Sequence, residues 1–356
     1  MSSVTVTLAA MLALSASHSA FSADRGVATT PSSEAKTLDT LVVTGSMPGP
    51  GLWRVSKDDH TLWILGTVSP LPKDMTWDSA EVDELVAGAD EVLTPGGAWA
   101  TVGAGNVFKI MLLAPSAFAA IKNPNGKRLV DVLPKDMYQR WSELKQKYIG
   151  KNRKIERRRP MFASVDLHSS AVFHSGMTRD ATVWHRVADT AKRHGVPVTD
   201  TVYRFKLDID RKRMKSGIRS FAATRPLDVE CMGQTLDTLE VDLEKMKRGA
   251  NAWATGDLTQ LRQLEHDDLQ PACKRLQDAA LGFMEAQHHE QASTDLWLEK
   301  AENALSRNHT TVAVVPIRRL LHPHGLLATL RARGYSVVEP DLDADYDEET
   351  DAGAVL

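Results

Sequence analysis

The chain has 356 residues, of which 42% are hydrophobic and 25% charged, with a formal net charge of -3. This is long enough for one large domain or two small ones with a sizeable core. The composition is that of a globular protein, and the charge balance argues against nucleic acid or an anionic membrane as partner.

Val4 to Ala16 is an apolar run too short to span a bilayer, and small residues follow through Ala20-Phe21-Ser22-Ala23. The pattern predicts a signal peptide over 1–23, although its n-region lacks Lys and Arg. Export would place the mature chain in the periplasm or outside the cell. No later stretch reaches the roughly 18 apolar residues of a membrane helix. No cysteine lies near the cleavage region, which excludes a lipid anchor there. Residues 24–50 are rich in Ser, Thr, Gly and Pro and read as a disordered leader. Within it, Leu38 to Gly45 is a short β-prone run that reads as an extended strand adding to a sheet edge; it is also similar to the start of a TonB-receptor plug, but no barrel follows.

The folded part is expected over 51–340. Leu52 to Ser56 and Thr61 to Gly66 are apolar runs separated by Lys57-Asp58-Asp59-His60, the pattern of a hairpin. Residues 78–89 carry Val82, Leu85, Val86 and Ala89 at helical spacing, and Glu91 to Thr94 reads as a strand. Residues 106–121 form an apolar helix candidate broken by Pro115. A helical insert is expected over about 134–308, with helices at 134–148, 160–173, 181–194, 210–224, 227–254, 257–265, 271–290 and 294–307. Gly195-Val196-Pro197-Val198 marks a helix stop and a strand, and Pro226 suits the first turn of the long helix. The basic run Lys151 to Arg159 reads as a solvated loop or helix start. The pattern then returns to strand 311–315, helix 324–333, Gly334 as a C-cap and strand 335–338.

Glu339 to Asp351 holds eight acidic residues. Residues 341–356 read as a disordered acidic tail; Asp341 to Asp347 has part of a calcium-loop pattern without its glycine or its final glutamate. Cys231 and Cys273 are the two cysteines. In an exported chain they favour one disulfide closing a loop of about 40 residues, whereas without export they read as buried thiols.

Common catalytic patterns are absent from the sequence: no GxSxG, no HExxH, no P-loop, and no GxGxxG after a strand. His168 and His174 are six residues apart and fall on different helical faces. His288 and His289 are adjacent and point apart. His322-Pro323-His324 follows the last long strand. Ser69 precedes Pro70-Leu71-Pro72 and reads as a turn residue with no base to activate it. Arg318 and Arg319, in a loop after a buried strand, have the chemistry to clamp a carboxylate or phosphate.

These segments together resemble the TraB/GumN (TraB/PrgY/GumN) family over roughly 50–340. The resemblance rests on Leu52-Trp53-Arg54-Val55 with Leu62 to Thr67, on Trp253-Ala254-Thr255-Gly256-Asp257-Leu258, and on Gly325 to Val337. It implies an α/β fold related to the erythromycin-esterase and ChaN-like group, a mixed central sheet formed by the two ends of the chain with a large helical middle. It also implies a metal-dependent hydrolase built from two Gly-x-x-His motifs and an acidic residue. This chain departs at each of those places. The first motif reads Gly66-Thr67-Val68-Ser69, the acidic position falls on Thr94, and the second reads Pro316-Ile317-Arg318-Arg319. Hydroxyls and an arginine do not hold a transition metal.

The expectation is therefore a non-catalytic periplasmic family member with no cofactor. It would bind an unknown ligand or envelope protein in a remnant pocket lined by Gly66, Ser69, Thr94, Arg318 and Arg319. One rival is a hydrolase or protease with relocated ligands, at His322, His324 or His174. Another is an envelope interaction protein that acts through its leader and tail.

Overall fold

A computed structural model describes residues 49–103, 118–206, 210–265, 272–276 and 286–340, with isolated positions between 106 and 115. The expected signal peptide, most of the leader and the acidic tail lie outside the described residues.

The centre is a six-stranded mixed sheet. Strands β1 (Leu52–Lys57) and β2 (His60–Thr67) form the expected antiparallel hairpin, with Lys57 opposite His60. The turn between them places Asp58 at φ 55°, a left-handed conformation that Asp tolerates better than most residues. Short β3 (Leu71–Pro72) leaves the sheet and pairs antiparallel with β6 (Met177–Thr178). Helix α1 (Ala80–Ala87) then leads into β4 (Glu91–Leu93).

Two further strands come from the far end of the chain and one from its middle. Strand β9 (Thr310–Pro316) lies parallel to β2, with Thr61 beside Thr310 and Thr67 beside Pro316. It is apolar along Val312 to Val315 because both its faces are covered. β10 (Ser336–Val338) pairs antiparallel with β1. β7 (Val198–Thr199) lies parallel to β4. The strand order β10-β1-β2-β9-β4-β7 joins the two ends of the chain in one sheet, as expected.

Between these halves run helices α2 (Lys135–Tyr148), α3 (Pro160–His174), α4 (Thr182–His194), α5 (Arg211–Ala223), α6 (Arg225–Thr255), α7 (Leu258–Glu265) and α8 (Ala286–Leu305). After β9 come α9 (Ile317–Leu321) and α10 (Leu326–Ala332). Trp53, Trp141, Trp253 and Trp297 are fully buried, so one core runs from the sheet into the helical middle. None of the helices among the described residues is long and apolar enough to cross a membrane.

Four expectations need correction. The break expected between 290 and 294 is absent, because Ser293, Trp297, Leu298 and Ala301 bury one continuous face of α8. Arg318 and Arg319 lie on the helical turn α9 rather than in a loop. Arg159 is buried, unlike the exposed Lys151, Arg153, Lys154 and Arg157 of the same basic run. It begins α3, and all five of its N–H groups find acceptors: Asp228 twice (2.6 and 2.7 Å), the carbonyls of Ala120 and Phe221, and Thr224 Oγ1. Finally, a parallel pair outside the central sheet, β5 (Gly97–Thr101) with β8 (Val202–Lys206), was not foreseen.

Cys231 and Cys273 form a disulfide, with a sequence separation of 42. It fastens α6 to the segment 272–276 beside a small cluster of Ala272 and Leu276.

Candidate functional site

The three parallel strands β2, β9 and β4 end on the same side of the sheet. In open α/β sheets this C-terminal edge is where loops gather around ligands. Gly66 and Thr67 end β2, Pro316 ends β9 and leads into α9, and Thr94 follows β4.

Gly66 is where packing demands glycine. A Cβ there would lie 2.6 Å from Cζ3 of Trp53 and 3.3 Å from Cγ1 of Ile317. Trp53 therefore covers the face that a side chain would use. The Gly66 carbonyl accepts a 2.7 Å hydrogen bond from the buried indole Nε1 of Trp253. The motif Trp253 to Leu258 now has a physical account. Trp253 anchors α6 to the end of β2. Gly256 closes that helix at φ 72°, a conformation most residues resist. Asp257 then accepts a bond from the Gln260 N–H and starts α7.

Thr94 is tied down. Its Oγ1 accepts from the Thr201 N–H at 2.9 Å and lies 3.1 Å from Thr201 Oγ1, which itself donates to the Thr94 carbonyl. Arg319 reaches over this pair. Its Nη1 lies 3.5 Å from the Pro95 carbonyl. A Cβ at Gly96 would meet Arg319 Nη1 at 3.2 Å, Thr201 Oγ1 at 3.3 Å and Trp297 Cδ1 at 3.1 Å. Gly96 thus sits at the meeting point of Arg319, Thr201 and Trp297.

Two donors there are left over. Arg319 Nη2 and Trp297 Nε1 are both buried without a hydrogen-bond partner among the described residues. Burial lowers the Arg319 pKa, with Glu290 opposing and Arg318 adding to the effect. The guanidinium stays charged at neutral pH regardless.

Ser69 and Arg318 are both exposed, and Arg318 is on the outer side of α9. The structure therefore brings Thr94 and Arg319 around Gly96 and buries Gly66 beneath Trp53. Ser69 and Arg318 are not drawn into that packing. Thr201, Gly96 and Trp297 were missed. Their signal in the sequence was slight: a Pro95-Gly96-Gly97 turn after β4 and a threonine after β7.

These residues do not suit a divalent metal. A half-buried guanidinium with a spare donor faces the position, and cation repels cation.

A separate cleft of about 130 Å³ lies beyond α9, lined in part by Arg262, His322, Arg331 and Glu339. Both arginines pair with Glu339. Burial works against that carboxylate, but the bonds from Arg331 and Arg262 outweigh it and lower its pKa. None of the expected pocket residues lines this cleft.

No curated protein and no solved structure shows significant similarity to the chain. The model of the TraB/PrgY/gumN family matches residues 51–339, from the start of the hairpin to the end of β10. That match spans most of the 356 residues, and the chain belongs to the TraB/PrgY/gumN family.

Proposed function

We propose that this protein is a non-catalytic, periplasmic family member that binds an anionic ligand against Arg319. The observation behind this reading is the pair of orphan donors, Arg319 Nη2 and Trp297 Nε1, on two side chains that both approach Gly96. An unsatisfied buried donor costs about 1–3 kcal/mol, more for a charged one. A carboxylate or phosphate has oxygens to satisfy both at once, and Arg presents a planar fork suited to either. Thr94 and Thr201 are spent on each other and would shape the floor. The family resemblance puts Ser69, Thr94 and Arg319 at the positions of metal ligands, and none of the three would hold a transition metal, which supports binding without hydrolysis.

Export is supported by the apolar run at 4–16 and by the Cys231–Cys273 disulfide, since such bonds persist in oxidising compartments. An alkaline phosphatase fusion to residues 1–50 should be active, which requires export.

The binding reading is tested by thermal shift with inorganic phosphate and with acetate, against sodium chloride at equal ionic strength. One of the two anions should stabilise the wild type and leave Arg319→Met unmoved. Equal shifts in both proteins would sink the binding site. Metal-dependent peptide hydrolysis lost in Ser69→Ala or Arg319→Met would sink the non-catalytic role.

A further inference from the structure

We propose that Asp59, His60 and His309 form an open site for a zinc-type transition-metal ion, at the end of the sheet opposite the Arg319 edge. β2 and β9 run in parallel, with Thr61 beside Thr310. The residue before each, His60 and His309, is therefore also in register. The hairpin turn adds Asp59 next to His60. Seven residues of β2 separate this end from Thr67, a distance of about 23 Å at ~3.3 Å per residue. The cluster is thus independent of the anion site.

The geometry suits one ion. His60 Nε2 lies 3.4 Å from Asp59 Oδ1, and His309 Nδ1 lies 3.3 Å from Asp59 Oδ2. Ligands held at ~2.0–2.1 Å around a tetrahedral zinc are roughly 3.3–3.4 Å apart. One ligand atom from each of the three residues falls within 4.8 Å of the others. The two imidazoles are stacked, 5.4 Å between centroids and 7° between planes, so one ring must rotate before both lone pairs converge on one ion. The remaining closure falls to His309, whose side chain is 74% exposed and able to move.

The hydrogen bonds also point to a cation. His60 Nδ1 lies 2.7 Å from the Asn308 carbonyl. A carbonyl only accepts, so Nδ1 carries the proton. Nε2 is then the ring atom that faces the Asp59 carboxylate, so nitrogen and oxygen are placed to share an ion between them. The same Nδ1–H bond to a backbone carbonyl fixes the tautomer and aims the ring, the usual support of a metal-bound histidine. Lys57, the nearest cation on the hairpin, turns its Nζ to the Tyr335 ring at 5.5 Å instead. Three protein ligands leave a fourth position for water or a partner's side chain.

The test is zinc titration of the full chain against a chromophoric chelator, with circular dichroism on every sample. Wild type and His194→Ala should bind one tight equivalent. Asp59→Asn and His309→Ala should lose affinity by about 10-fold or more, the scale on which metal sites respond to altered ligand shells. His309 is exposed, so His309→Ala keeps the test valid should Asp59→Asn fail to fold. Absence of a tight equivalent in wild type overturns the proposal. So does a tight equivalent that survives both substitutions.

Discussion

The indole of Trp253 hydrogen-bonds the carbonyl of Gly66 at 2.7 Å, 187 residues away in sequence. This one bond joins the helical middle to the strand that ends at the candidate site. It also makes Gly66 a packing residue, because Trp53 fills the space its side chain would need. Trp253→Phe keeps an aromatic side chain but removes the N–H that the buried Gly66 carbonyl accepts, and should cost about 1–3 kcal/mol. Gly66→Ala forces a methyl against Trp53 and should cost a similar ~1–3 kcal/mol through overpacking. Urea unfolding of both variants and of the double variant measures each effect and their coupling. Independent, additive losses would contradict a shared packing unit.

Arg159 and Asp228 make the strongest ionic demand in the interior. Their side chains are 1% and 2% exposed, and the carboxylate takes two of the guanidinium's five bonds. Removing one partner leaves the other buried and charged. Asp228→Leu should therefore cost about 3–5 kcal/mol. The double change Arg159→Met with Asp228→Leu should recover part of that loss, since apolar replacements of buried pairs are often tolerated. Denaturant midpoints of the three proteins decide the matter.

Much of the fold was legible because its central strands are apolar, β-rich runs bounded by turn residues. Leu62 to Gly66 and Thr311 to Val315 could hardly be anything but buried strands, and the family resemblance set them side by side. Arg159 was not legible, since a basic run looks solvated until its acceptor appears 69 residues later. The β5–β8 pair escaped because Trp99 and its neighbours stay partly exposed and lack a strong apolar pattern. At the site, the sequence placed Arg319 and Thr94 at one edge but could not see Trp297 beside them. His60, which opens β2, and His309, which precedes β9, were visible in the sequence. Their meeting depended on a strand register spanning 249 residues, from Thr61 to Thr310.

His168 should leave a mark on the pH dependence of stability. Burial lowers its pKa from the ordinary value of 6.5, Arg179 adds to this, and Asp242 opposes it. Below 6.5 the unfolded chain takes up a proton that the folded chain resists. Stability is therefore complete above 6.5 and declines as pH falls from 6.5 toward the folded pKa. The carboxylates with lowered pKa, Asp83, Glu240 and Glu339, act in a more acidic range. Melting temperatures between pH 7.5 and 5 should fall less steeply for His168→Gln than for wild type. Parallel curves would assign the slope to other groups.

The disulfide closes a loop with a sequence separation of 42. Loop-closure entropy gives such a cross-link about 4 kcal/mol at 25 °C. The double change Cys231→Ser with Cys273→Ser should lower unfolding stability by roughly that amount. Reducing the wild type should produce a matching loss, and a reductant should leave the double variant unchanged. A reductant effect on the variant would place the cause outside this bond.

Arg319 should show opposite effects on stability and on binding. Its Nη2 is buried without an acceptor among the described residues, and burial already disfavours its charge. A group kept for a ligand costs stability when the ligand is absent. Arg319→Met keeps the apolar stem packed and removes the orphan donor. It should stabilise the ligand-free protein by about 0.5–2 kcal/mol, the range seen when a function-bearing compromise is relieved. With phosphate or acetate present, the wild type should close that gap while the variant stays where it was. A variant that is less stable than wild type in every buffer would mean that Arg319 holds the loop together, and the anion reading would lose its physical basis.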